Sequence, residues 1–161
     1  MTKSEYEIAP ENHAIYQKGI EIYDLVSRVC AMLPTDNVTL QEVRTMMLSD
    51  ALQLSSKVEA AQGAELYDLK MEAATMIRKS AKDLLVQNHA LTYHGFKDAQ
   101  YFDLIRDGVE EYRLLFIEWV RGFDKSNYIT DRWGLFNPPG VDPNDQIHEE
   151  SISFDAEDYL K

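Results

Sequence analysis

The sequence contains one cysteine, seven glycines and no long apolar run, and each scarcity excludes a class of protein. Because Cys30 has no second cysteine to pair with, the chain can form no intramolecular disulfide and no thiolate-rich metal site. No stretch approaches the roughly 20 apolar residues of a membrane-spanning helix, and the first residues hold no apolar signal-peptide core. We therefore expect a cytoplasmic protein without a membrane partner, in which Cys30 packs as a small apolar side chain.

Positive charge is also scarce, since 16 Lys and Arg against 28 Asp and Glu give a formal net charge of -12. Non-specific binding to nucleic acid or to an anionic membrane needs the opposite balance, because affinity there comes from neutralising phosphates. A local basic patch would still be compatible with this composition. The length of 161 residues, of which 45% are hydrophobic, suffices for one well-buried core.

The sequence also lacks catalytic and cofactor motifs. The glycines never form G-x-G, which excludes a dinucleotide-binding loop and a P-loop, and no G-x-S-x-G nucleophile elbow occurs. Di-iron bundles of the ferritin type need Glu-x-x-His pairs, but no histidine here follows a glutamate at that spacing. We predict no catalytic, cofactor-binding or metal-ligating residue. An enzyme with a carboxylate or metal site in its core is kept as an alternative.

What the sequence does contain is four stretches of apolar residues in alternating three- and four-residue spacing, which is typical of helices packed lengthwise. The clearest series consists of Phe102, Ile105, Val109, Tyr112, Phe116, Trp119 and Phe123. The four series predict helices over about residues 12–33, 40–62, 64–93 and 98–123. Because the connections are too short for crossovers, we predict an all-α, antiparallel up-down four-helix bundle over residues 1–124.

Local signals predict how these helices begin and pack. Thr39 and Glu42 form a capping-box pattern that places Thr39 at the N-cap of the second helix, with Val38 and Val43 as a hydrophobic staple. Gly19 lies within the apolar series of the first helix. There we favour a tolerated small residue over a close approach of two backbones.

Two acidic residues near the apolar series of the second helix are candidates for ion pairs. We expect Asp50 or Glu59 to pair with Arg44 or Arg78 across the bundle. Such a pair would fix the register of the helices and would not mark a functional site.

Six basic residues form the best candidate for a nucleic-acid-binding surface. Those of the predicted fourth helix are spaced seven or eight residues apart and therefore share one helical face. The six residues are Arg78, Lys79, Lys82, Arg106, Arg113 and Arg121. Neighbouring glutamates dilute this stripe, so an accessory nucleic-acid-binding protein is the second functional hypothesis.

Residues 125–161 form an irregular C-terminal extension that differs in character from the predicted helices. Its first part carries four large apolar side chains, Tyr128, Trp133, Leu135 and Phe136, whose area is unfavourable in water. We expect this part to fold back on the bundle or to form a protein interface with another subunit. Seven acidic residues and one lysine follow between positions 142 and 161. They predict a partly mobile end whose apolar residues could anchor to a partner.

Three features between about residues 12 and 124 carry a family resemblance. A Met-Leu-Pro break stands at 32–34, a Glu-containing turn of small residues at 58–63, and an Ala-rich stretch flanked by Arg and Lys at 73–85. In these features the chain resembles the four-helix bundle family of 23S ribosomal RNA intervening sequences, whose relatives include the accessory variability proteins of diversity-generating retroelements. The resemblance implies a small cytoplasmic bundle that assembles into a ring-like homopentamer. It also implies that retroelement members bind nucleic acid and a reverse transcriptase through basic surfaces.

These observations together favour a non-enzymatic helical bundle that self-associates and serves as an interaction or scaffold protein. Its basis is the four continuous apolar series, the surplus aromatic surface after residue 125 and the lack of a chemical signature. The resemblance supplies no catalytic residue, and the acidity of this chain departs from the basic surfaces of the retroelement proteins.

Overall fold

The computed structural model describes residues 13–96 and 98–145. Within these ranges the chain forms helices and no β-strand, which confirms the predicted all-α four-helix architecture. The helices are α1 (Ala14–Ala31), α2 (Val38–Gly63), α3 (Tyr67–Tyr93) and α4 (Ala99–Arg121). None of the helices in the described part of the chain is long and apolar enough to span a membrane. The acidic end predicted to be mobile lies mostly outside the described residues.

Each helix packs against its neighbours in sequence, and α1 also packs against α4, which closes the bundle. The contacts between α1 and α4 show that these two helices run in opposite directions. Lys18 near the start of α1 forms an ion pair with Glu111 at 2.6 Å, whereas Ile22, one turn later, lies beside Gly108. A later residue of α1 thus contacts an earlier residue of α4, so the two helices are antiparallel.

The core is built from the apolar series that the sequence predicts. Its fully buried side chains come from all four helices and include Ile22, Val26, Met47, Leu54, Ile77, Leu84, Leu91 and Ile105. Burying one such side chain contributes about 1.5–3 kcal/mol to the free energy of unfolding. In α4 the predicted series is buried at its centre, and its aromatic members Phe102, Phe116 and Trp119 pack against the core while half-buried.

Gly19 lies where the backbones of α1 and α2 come close together. A Cβ at this position would stand 2.6 Å from the carbonyl oxygen of Leu54 and 2.8 Å from its carbonyl carbon. The expectation of a merely tolerated small residue is therefore wrong, because only glycine fits this approach. Tyr112 of α4 donates its hydroxyl proton to the same Leu54 oxygen at 2.7 Å, and burial raises the pKa of Tyr112. Three helices thus meet at one backbone carbonyl group.

The second helix begins earlier than its capping-box pattern predicts. Asn37 is the N-cap, and its side-chain oxygen accepts a hydrogen bond from the Leu40 amide at 3.1 Å. The prediction of a capping box formed by Thr39 and Glu42 is therefore wrong. The predicted hydrophobic staple is wrong as well, since Val38 is 74% exposed. The physical reason is that asparagine caps a helix more strongly than threonine does.

The start of α3 also differs from the prediction, because residues 64–66 form the turn that leaves α2. Leu69 is exposed, whereas Tyr67 and Lys70 are buried. The Lys70 ammonium donates to the carbonyl oxygen of Ala61 at 2.7 Å and lies 5.7 Å from the ring centroid of Phe123. A cation at this place adds a second donor to a carbonyl group that also accepts from the Ala64 amide at 3.3 Å, and it opposes the negative end of the α2 dipole. An apolar pattern cannot reveal such a residue.

The expected ion pairs of Asp50 and Glu59 with Arg44 or Arg78 do not form. Among the described residues no ion pair includes either acid. Asp50 instead interacts with Ser80 of α3, and burial, with a smaller effect of Asp83, raises the pKa of Asp50. The pairing prediction is wrong because a serine of α3 faces this carboxyl.

Candidate interaction surfaces

Helices α3 and α4 share the smallest interface of the four neighbouring pairs. They leave between them an open cavity of about 590 Å³, which we call the α3/α4 groove. Its floor is apolar and is formed by Ile77, Ala81, Leu85, Val109, Tyr112, Phe116 and Ile117. The short side chain of Ala81, one turn from both Ile77 and Leu85, helps to leave this space open. A cavity of this size with an apolar floor is typical of binding sites.

The structure brings four of the six predicted basic residues to the edge of this groove. Arg78 and Lys82 stand one turn apart on α3, and Arg106 and Arg113 stand two turns apart on α4. The lining also includes two carboxylates, so its formal charge is +2. The whole chain has a net charge of -12. The groove is therefore a positive region on an acidic protein.

The two arginines of α4 form ion pairs with carboxylates on their own helix. Arg113 donates to both oxygens of Glu110 at 2.8 and 2.6 Å, which raises the pKa of Arg113 and lowers that of Glu110. Arg106 donates to Asp103 at 2.6 Å. Exposed pairs of this kind add little to stability, because both charges stay in contact with water. Both arginines can therefore turn toward a stronger anionic partner at little cost.

Lys79 and Arg121 do not line the groove with the other four basic residues. Lys79 forms an ion pair with Asp83 on its own helix, and Arg121 pairs with Glu118 at 2.6 Å. The stripe of six basic residues is thus divided between the groove and other parts of the surface.

A second surface lies in the C-terminal extension, in residues 131–137, which we call the Trp133 loop. Trp133 is 90% exposed and Leu135 is 74% exposed, so neither folds back on the bundle. That alternative is wrong for these two residues. Tyr128 is 38% exposed and Phe136 is half-buried. Within the described part of the extension, therefore, Trp133 and Leu135 point into the solvent, whereas Phe136 is partly covered.

The Trp133 loop is held in shape by the side chain of Asp131. Its carboxylate accepts hydrogen bonds from the backbone amides of Trp133, Leu135 and Phe136, each at 2.9 Å. These bonds, of which that from Phe136 has the largest effect, lower the pKa of Asp131. Asn137 closes the loop by accepting from the Asp131 amide at 2.7 Å and donating to the Asp131 carbonyl at 2.8 Å.

The loop conformation also needs a glycine between its two exposed apolar residues. Gly134 has a φ of +72°, and a Cβ there would stand 2.9 Å from Cγ of Pro143. Both the left-handed backbone and the proline contact disfavour any other residue. The exposure of Trp133 and Leu135 therefore belongs to a defined loop structure.

The extension is attached to the bundle at the start of α3. The carbonyl oxygen of Asn127 accepts from the Tyr67 amide at 2.9 Å, and the Asn127 side chain donates to the Glu65 carbonyl at 3.0 Å. Our sequence reasoning selected the aromatic residues of the extension but missed Asp131 and Asn127. The signal that could have identified Asp131 is an aspartate shortly before a glycine, because Asp side chains bond to nearby backbone amides in turns.

The described residues offer little for catalysis by a thiol or a metal ion. Cys30 is buried, and its burial raises the pKa of its thiol to about 11, which keeps the thiol protonated at neutral pH. In residues 13–96 and 98–145 no group of three or more His, Cys, Asp or Glu side chains is arranged to hold a metal ion. The α3/α4 groove and the Trp133 loop both have binding potential.

Both surfaces have to be interpreted from their own geometry and chemistry. The resemblance to the 23S ribosomal RNA intervening-sequence family stays a prediction. Comparisons of the chain with protein-family models, with curated proteins and with solved structures find no match.

Proposed function

We propose that this protein is a non-enzymatic interaction protein that self-associates through the Trp133 loop. The observation that supports this proposal is that Trp133 and Leu135 are exposed while Asp131 holds their backbone in place. A leucine side chain left in water forgoes about 1.5–3 kcal/mol of burial free energy, and tryptophan forgoes at least as much. A second molecule that covers both residues would recover that free energy.

The order of the loop favours tight binding. A flexible segment loses conformational entropy when it binds, at about 0.5–1.5 kcal/mol for each immobilised side chain. The backbone of the Trp133 loop is already ordered by six hydrogen bonds involving Asp131. Tryptophan is also enriched among the residues that dominate binding energy in protein interfaces.

We propose a second copy of this chain as the partner and the cytoplasm as the location. The single cysteine fits a reducing compartment, where disulfides do not form. The stoichiometry of five is implied only by the family resemblance.

The oligomeric state of the 161-residue chain tests this proposal. We expect sedimentation velocity at micromolar concentrations to show an oligomer. We expect Trp133→Ala to weaken association by about 30-fold or more, the usual loss at a dominant interface residue. Leu135→Ser should also weaken association. The matched control is Leu114→Ser, which alters an exposed leucine of α4 that is not part of the loop.

Two results would contradict the proposal. One is a wild-type protein that stays strictly monomeric over this concentration range. The other is an equal loss of association in Leu135→Ser and in Leu114→Ser, which would show that the loop has no special part.

A second candidate function, accessory nucleic-acid binding, is favoured by the four basic side chains that meet at the α3/α4 groove. If all four contact phosphates, the slope of log affinity against log salt should be about -3 to -4 with structured RNA. Arg78→Ala should reduce both the affinity and the slope, whereas Arg121→Ala, outside the groove, should change neither. An absence of RNA binding at low salt would contradict this function.

A further inference from the structure

We propose that residues 146–161 of this chain bind in the α3/α4 groove of the same molecule. Their apolar side chains would cover the groove floor, and their carboxylates would face its basic edge. This proposal does not depend on self-association through the Trp133 loop, because the two surfaces use different residues. The proposed partner of the groove is therefore a segment of the same chain.

The first argument is charge complementarity. Residues 146–161 contain five carboxylates and one lysine. The groove lining carries four basic and two acidic side chains, in a protein whose net charge is -12. Carboxylates of the segment can offer Arg78 and Lys82 a partner, since in the described ranges these two residues form no ion pair.

The second argument is the match between apolar surfaces. The segment contains five large apolar residues, which are Ile147, Ile152, Phe154, Tyr159 and Leu160. Each of them has an acidic residue within two positions, so apolar and negative side chains are interspersed over the whole segment. The groove has the complementary arrangement, an apolar floor between basic residues. Each Å² of apolar surface covered in this way contributes about 25 cal/mol to the free energy of binding.

The third argument is reach. Asn127 is attached to Tyr67 at the start of α3. The groove begins at Ile77 and extends to Leu85, about 15 to 27 Å further along that helix at 1.5 Å per residue. An extended chain spans about 3.3 Å per residue, so the 16 residues of the segment can span about 53 Å. The segment leaves an extension that is attached at the start of α3, and its extended length is about four times that of the stretch from Ile77 to Leu85, which is about 12 Å.

A covalent link strengthens such an interaction. A tethered segment faces its site at an effective concentration in the millimolar range. Weak contacts with the groove would then suffice to keep it occupied. Free competitors would have to displace this segment before they could bind the same apolar floor.

Methyl NMR of the 161-residue chain tests the proposal directly. Ile77 and Ile117 line the groove, whereas Ile22 is a buried core residue that is not part of its lining. In the variant Ile152→Ser with Phe154→Ser, we expect the methyl signals of Ile77 and Ile117 to move and those of Ile22 to stay. Unchanged groove signals would overturn the proposal.

Charge is tested by a variant in which the five carboxylates are replaced by amides. It combines Glu149→Gln, Glu150→Gln, Asp155→Asn, Glu157→Gln and Asp158→Asn. We expect it to move the same groove signals, and we expect high salt to reproduce part of that movement in the wild type. If neither the amide variant nor high salt moves the groove signals, the ionic part of the proposal is overturned.

A labelled synthetic peptide with the sequence of residues 146–161 provides the competition test. It should bind the Ile152→Ser, Phe154→Ser protein at least about tenfold more tightly than the wild type, whose own segment occupies the groove. Lys82→Glu and Arg113→Glu, added to that variant, should each weaken the binding. Arg121→Glu is the control outside the groove and should leave it unchanged. Equal binding to all these proteins would overturn the proposal.

The same measurements separate this proposal from the proposed function. They are repeated in a Trp133→Ala background, in which self-association through the loop is expected to be weakened. If the groove signals respond to the segment variants there as well, docking stands whatever the oligomeric state. If the response grows with protein concentration, the segment comes from a neighbouring molecule and the intramolecular proposal is overturned.

Discussion

Between α1 and α2 the backbones approach so closely that a Cβ at Gly19 would stand 2.6 Å from the Leu54 carbonyl oxygen. Between α3 and α4 the helices leave a groove of about 590 Å³. Both pairs belong to one bundle with one kind of apolar spacing. The difference shows that helix separation depends on the size of the residues at the contact, because side chains set how near two helix axes can come.

The first and largest expected effect comes from adding one methyl group to the tight pair. Gly19→Ala should lower the free energy of unfolding by about 1–3 kcal/mol, because backbone atoms must move to admit the Cβ. This loss should exceed the helix propensity that alanine adds, up to about 1 kcal/mol. Urea unfolding measures the change.

The matched control is Gly63→Ala, at the end of α2. A Cβ at Gly63 has no neighbouring atom within 4 Å. This variant should be as stable as the wild type or slightly more stable. Equal stabilities of Gly19→Ala and Gly63→Ala would show that the two backbones are not in tight contact.

The second prediction compares two alanines, one on each side of the bundle. Ala51 is fully buried in α2, whereas Ala81 lies on the groove floor. Ala51→Leu should cost about 1–3 kcal/mol through overpacking, whereas Ala81→Leu should be neutral or stabilising, because the groove has room for the larger side chain. Thermal unfolding of both variants provides the measurement. If Ala81→Leu lowers the stability as much as Ala51→Leu does, the groove between α3 and α4 is not open at Ala81.

The third prediction concerns the hydrogen bond that joins the tight side to α4. Tyr112→Phe removes the hydroxyl that donates to the Leu54 carbonyl. It should lower the free energy of unfolding by about 1 kcal/mol, the usual net contribution of such a bond. Tyr93→Phe, which alters an exposed tyrosine, should change it very little. A smaller effect at Tyr112 than at Tyr93 would exclude a stabilising role for the bond.

The smallest effect is local and concerns the exposed Trp133 loop. Backbone amides, with that of Phe136 first, lower the pKa of Asp131 from its ordinary value of 3.8. Because the folded loop favours the carboxylate, its order is fully present above about pH 3.8 and is lost as the pH falls through the lower pKa of the folded state. Amide NMR shifts of Trp133, Leu135 and Phe136 should follow that loss.

Asp131→Asn is the control for this pH dependence. It removes the titrating group and leaves one side-chain oxygen to accept the amide hydrogen bonds, so the amide shifts should differ from the wild type and should not change between pH 5 and pH 3. A wild-type loop that loses its order well above pH 3.8 would contradict the assigned hydrogen bonds.

Much of the fold could be predicted because helical periodicity is a local property of the chain. The apolar series of α4 placed Ile105, Val109 and Tyr112 in the core, where the structure has them. The helix starts were less predictable, because cap residues compete. Asn37 and Thr39 are both good caps, and the capping-box spacing of Thr39 and Glu42 favoured the weaker of the two.

The candidate surfaces were less predictable than the core. The sequence selected Trp133 and Leu135 as interface residues but could not show that Asp131 would keep them exposed. It selected six basic residues without showing which four would meet at one groove. Both features depend on contacts between separate segments, which no spacing along the chain reveals.

What the sequence by itself determined is the all-α class and the residues that form the core, because a period of three to four residues puts one face of each helix out of water. The tertiary structure alone decided that Gly19 is required, that Lys70 donates to a carbonyl group in the last turn of α2, and that α3 and α4 stand apart. Each of these features depends on the distance between two helices. That distance is set by the side chains that meet across the interface, and those side chains are remote from one another in the sequence.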